Sequence, residues 1–81
     1  MAKIIEVVRP PKKFNYTIIK HVNPNEFEER EWFNWIKDNL IKDIFYRKTI
    51  FYNHQGNDIY YEYQIWFLSS DDSFLYKLRW D

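Results

Sequence analysis

Residues 43–68 read DIFYRKTIFYNHQGNDIYYEYQIWFL, and the fold turns on how the two halves of that stretch face each other. Both halves are rich in β-branched and aromatic residues, which favour strands. Between them stands Gly56, the only glycine of the chain, which takes positive φ at no steric cost and suits a hairpin turn. With Gln55-Gly56 as a two-residue loop, Ile44 faces Phe67, Tyr46 faces Ile65, Lys48 faces Tyr63, Ile50 faces Tyr61 and Tyr52 faces Ile59. On the other side of the ribbon Arg47 meets Gln64 and Thr49 meets Glu62. Apolar residues gather on one face, and a slip of one residue would scramble them. The stretch reads as an antiparallel hairpin.

Working outward towards the C-terminus, Ser69-Ser70-Asp71-Asp72-Ser73 is built from residues that bond their own backbone and reads as a second turn. Residues 74–80 then alternate Phe74, Tyr76, Leu78 and Trp80 with other side chains. That alternation predicts a third strand, with Phe74 against Phe67, Tyr76 against Ile65, Leu78 against Tyr63 and Trp80 against Tyr61. Towards the N-terminus, Asn23-Pro24-Asn25-Glu26 carries a capping residue, a proline suited to the first helical position and an acid three after the cap. It predicts a helix running to about Leu40 or Ile41. At 100° per residue Trp32, Phe33, Ile36 and Leu40 make one apolar stripe, wide enough to cover one sheet face. Phe27 falls on the far side and Trp35 on the flank. Two further strands precede the helix, Lys3 to Arg9, stopped by Pro10-Pro11, and Phe14 to Val22, which alternates. The expected architecture is α+β in the order β-β-α-β-β-β, a single helix on one face of a small antiparallel sheet. Residues 1–81 are expected to form a single compact domain.

Composition narrows the function. Twelve Lys and Arg balance twelve Asp and Glu, which argues against binding nucleic acid mainly by counterion release. The balance is uneven along the chain: residues 1–24 carry five bases against one acid, and residues 25–43 six acids against three bases. There is no cysteine, so disulfides, thiolate zinc sites and cysteine nucleophiles are excluded. The N-terminus has no signal-peptide core and no run approaches a membrane span, which makes the cytoplasm the expected location. The usage of Asn, Ile, Lys and aromatics resembles in style that of small phage or mobile-element accessory proteins, without a motif that carries it.

Residues able to do chemistry are few. The two histidines, His21 and His54, lie in different elements and no metal-ligand spacing or phosphate loop occurs. Asp71-Asp72 reads as turn chemistry, Glu28-Glu29-Glu31 as a solvated helix face, and no histidine stands near Ser69, Ser70 or Ser73. No cofactor or metal is expected, and enzyme is the weaker class.

Aromatics are the stronger clue. They make up 22% of the chain, more than one helix can roof. The expected sheet face away from the helix gathers Phe45, Trp66 and Leu75 beside Arg47, Lys77 and Arg79. Three covers for it compete: the N-terminal arm, a protein partner or second copy, and single-stranded nucleic acid stacking on the rings. Trp, Tyr and Arg are the residues from which protein interfaces gain most of their energy, and Glu62 at the centre would repel phosphate. The expectation is a non-enzymatic module that docks on a larger protein as an inhibitor, adaptor or regulator, or that self-associates. It would use Phe45, Trp66 and Leu75 as anchors and Arg47, Lys77 and Arg79 for orientation. Single-stranded nucleic-acid binding by the same face is the alternative, and a nuclease or hydrolase built on His21 and His54 the next.

Overall fold

The computed structural model describes residues 2–52, 55–56 and 58–80. The elements are β1 (Ile4–Glu6), β2 (Tyr16–Val22), α1 (Glu29–Asn39), β3 (Ile44–Tyr52), β4 (Asp58–Phe67) and α2 (Ser70–Trp80). The four strands form one sheet in the order β1-β3-β4-β2. β1 runs parallel to β3, while β3 with β4 and β4 with β2 are antiparallel. The class is α+β as expected, but the sheet is mixed and the described residues form two helices. The order of elements is β-β-α-β-β-α.

The β3–β4 hairpin has the expected register from Ile44 opposite Phe67 to Phe51 opposite Tyr60. Near the turn a bulge shifts it, so that Tyr52 lies opposite Asp58 and not Ile59. Gly56 takes φ 81°, the left-handed region its turn position requires.

The expected third strand is a helix. Ser69 accepts the amide proton of Ser73 at its carbonyl (3.2 Å) and that of Asp72 at Oγ (3.4 Å), a helix start of the Ser-x-x-acid kind. Asp71 and Asp72 fill the first turn, Lys77 and Arg79 the last, as the helix dipole favours. The alternation of Phe74, Tyr76, Leu78 and Trp80 is two helical rows at a spacing of four: Tyr76 and Trp80 with Asp72 inward, Phe74 and Leu78 outward. β2 fills the place beside β4 and keeps the same side-chain parity, with Ile18 against Ile65 and Lys20 against Tyr63.

The first helix starts later than its cap suggests. Asn23 holds a separate turn, taking the amide protons of Glu26 and Phe27 at its carbonyl and that of Asn25 at Oδ1. The chain then breaks before α1. In an unbroken helix Phe27 would face water; here its ring lies 5.8 Å from Trp32 and 5.4 Å from Tyr63. Burial of that ring offsets the lost turn of helix.

Trp32 is the hub of the core, fully buried against Phe33, Tyr46, Tyr63 and Tyr76. Its Nε1 donates to the Tyr76 hydroxyl at 2.9 Å, so the one polar atom of the ring is satisfied. Ile36, Ile44, Ile65 and Phe67 complete this side, where both helices pack. Among the described residues no helix is long and apolar enough to cross a membrane.

Candidate docking surface

The six residues expected to form one surface are divided by the fold. Phe45, Arg47 and Trp66 lie on the sheet face away from the helices, and Phe45 sits opposite Trp66. Leu75, Lys77 and Arg79 lie on α2. They belong to a helix because Ser69 caps it, so no strand 74–80 exists to carry them onto that sheet face.

The sheet face is not open at Trp66, which is 1% exposed. The topology supplies the roof. β1 and β2 occupy opposite edges and run the same way, so residues 7–15 must carry the chain across the whole sheet. α1 makes the return crossing over the helical face. Two crossovers that travel in opposite directions keep one hand only on opposite faces, which puts residues 7–15 over Trp66. Arg47 marks the path: its Nη1 donates to the Val8 carbonyl (3.3 Å), its Nη2 to Gln64 Oε1 (2.6 Å), and its guanidinium lies 5.8 Å from the Trp66 ring centre. Trp66 is therefore covered within the monomer, with Arg47 at the exposed margin of that cover.

Beyond that roof the face carries a stacked pair, Phe51 and Tyr60, with ring centres 4.7 Å apart. His21 lies 5.3 Å from Tyr60, and its Nε2 is 3.8 Å from Glu62. His54, the other half of the expected general-base pair, lies outside the described residues. Among the described residues no group of three or more potential metal ligands comes together.

A polar cluster sits where the start of α1 meets the sheet. Glu29 accepts from the Tyr63 hydroxyl and lies 3.4 Å from Lys48 Nζ, and that ammonium stands 4.3 Å from the Tyr61 ring centre. Burial, then the nearby Glu6 and Glu29 carboxylates, push the Tyr46 hydroxyl up to about 12. Burial and the Glu29 hydrogen bond push Tyr63 up as well. Both phenols are thus held neutral as donors, the protonation state that suits a structural bond.

α2 is built differently from an ordinary surface helix. Its inward side carries Asp72, Ser73 and Tyr76. Asp72 is 1% exposed and accepts the amide protons of Ile41 (3.2 Å) and Lys42 (2.8 Å). Those are donors just past the end of α1, and a buried carboxylate with two such bonds locks the helices together. The outward side carries the apolar residues: Phe74 is 62% exposed, Leu78 68% and Leu75 42%. Ile41, held to Asp72, is also exposed. Lys77 and Arg79 flank this stripe but are tethered, Lys77 Nζ to the Tyr16 hydroxyl and Arg79 within 3.9 Å of Glu31 Oε1.

Phe74 and Leu78 are the residues that strand reasoning hid, since period 2 placed them in the core with Tyr76 and Trp80. The signal that exposes them is Ser69 three residues before Asp72. Comparison with protein families, with characterised proteins and with solved structures finds no match for this chain.

Proposed function

We propose that the chain is a small non-enzymatic module that docks on a larger protein by seating the outer face of α2 in an apolar groove. The observation that carries this reading is the exposed row of Phe74, Leu75 and Leu78 on a helix whose inner face is pinned by Asp72 and Tyr76. A helix already fixed in place lowers the ordering cost of docking, and apolar residues three and four apart on one helix face are the anchors of helix-in-groove recognition. The partner groove would be apolar at its centre, with a base opposite Asp71 and an acid opposite Arg79.

The role first expected of the sheet face is smaller under this reading. Trp66 presents no ring face to a protein or to a base, and Arg47 is bonded within the chain. Of the expected anchors, Leu75 is the one that remains on offer.

Affinity capture with the tagged chain tests this. The comparison is between the parent, a Phe74→Asp/Leu78→Asp variant, and a Thr49→Lys control on the sheet. A protein retained by the parent and by the control, but lost by the α2 variant at unchanged circular dichroism, supports the reading. An identical set of captured proteins from all three overturns it.

A further inference from the structure

The two edges of the sheet are guarded unequally. β1 is three residues long and is followed by Pro10-Pro11, and a short edge beside proline invites no further strand. β2 is seven residues long, contains no proline, and pairs with β4 on one side only. The register shift of the sheet lies between β3 and β4, where Ile59 of β4 is skipped, and not here. The one lysine of β2 does not protect its edge either: Lys20 Nζ is turned over the helical face to the Trp80 carbonyl, 3.3 Å away. On the opposite face Ile19, at the middle of the strand, is 56% exposed.

We propose that β2 pairs antiparallel with β2 of a second copy, so that two four-stranded sheets join into one across a two-fold axis. The proposal is independent of the docking role of α2. Its register follows from the sequence. Centring the axis on Ile19 uses the whole strand: Ile19 meets the second copy's Ile19, Ile18 meets Lys20, Thr17 meets His21 and Tyr16 meets Val22. Centring it on Lys20 would set two ammonium groups directly opposite, which is unfavourable. Centring it on Ile18 would use only Tyr16 to Lys20. In the Ile19 register each exposed isoleucine covers the other, and each residue meets one from the same face of its sheet. The chain has no net charge, so the copies do not repel as whole molecules. A closed two-fold pairing of this kind stops at two.

The test is solution mass by light scattering over a range of concentrations. The parent is expected to approach twice its 10.3 kDa chain mass as concentration rises. Ile19→Lys and Ile19→Glu are each expected to remain monomeric with unchanged circular dichroism, because like charges then face each other, and an equimolar mixture of the two should recover the doubled mass. The Phe74→Asp/Leu78→Asp variant should dimerise like the parent. A parent that stays at 10.3 kDa throughout overturns the proposal. So does a mixture that fails to recover the doubled mass, or a dimer lost by the α2 variant and kept by Ile19→Lys.

Discussion

α1 and α2 are each eleven residues long, begin with acids, end with bases and pack on the same sheet face, yet they dispose of their apolar residues in opposite ways. α1 turns Trp32 and Ile36 into the core and leaves charge outside, which is what a helix does when burial alone places it. α2 is held from inside by two aromatics, Tyr76 and Trp80, and by the buried carboxylate of Asp72, and carries Phe74, Leu75 and Leu78 outside. A helix fixed by specific hydrogen bonds can show apolar side chains to solvent without turning over to bury them. The contrast separates a helix that makes the core from one that the core presents.

Changes on the inner faces should therefore cost stability, and changes on the outer face of α2 should not. The largest effect is expected for Trp32→Ala, which removes the hub ring and its hydrogen bond to Tyr76. The loss should be about 3–5 kcal/mol in urea unfolding, a large share of the stability of a chain this size. Asp72→Ala strips the partner from the Ile41 and Lys42 amides and should cost about 2–3 kcal/mol, while Asp72→Asn, which keeps an acceptor, should cost less. If Asp72→Ala is silent, α2 is not held in the way described. By contrast, Phe74→Ala and Leu78→Ala should each stay within about 0.5 kcal/mol of the parent; a loss as large as that of Trp32→Ala would mean that these side chains are core.

The smallest effect is that of pH near neutrality, where both raised phenols stay protonated. The Tyr46 hydroxyl is raised from 10.0 to about 12 and Tyr63 is raised as well. The folded state therefore holds these protons more tightly than the unfolded chain does. Their contribution is fully present below pH 10 and is lost as the pH climbs towards 12. Absorbance titration should show Tyr46 and Tyr63 missing from the ordinary tyrosine step until alkaline unfolding releases them. Ionisation of all seven tyrosines near pH 10 with the fold intact would contradict this.

Parts of the molecule that depend on one local period were legible in the sequence. The β3–β4 register was readable because two strands with a buried face must agree on parity, and the stripe of α1 because four apolar residues share one arc. The C-terminal element was not, because positions 72, 74, 76, 78 and 80 satisfy a period of two and also split cleanly into helical rows four apart. Only the cap at Ser69 separates the two readings, and serine and aspartate suit a turn as well as a helix start. The roof over Trp66 is one of three covers that the sequence leaves in competition, for another reason. It follows from β1 and β2 lying at opposite edges, and strand order is a long-range property that no periodicity records. The candidate surface inherits both gaps: a period of two reaches Leu75 but puts Phe74 and Leu78 in the core, and composition alone does not choose among the covers of Trp66.

Hydroxyl-radical footprinting read by mass spectrometry compares the two sets of rings in one experiment, with the chain alone and in complex with a protein it captures. Phe74 and Leu78 are expected to be oxidised in the free chain and shielded in the complex, while Trp66 stays unmodified in both. Oxidation of Trp66 in the free chain that disappears in the complex, with Phe74 and Leu78 unchanged, would contradict this and return the docking role to the sheet.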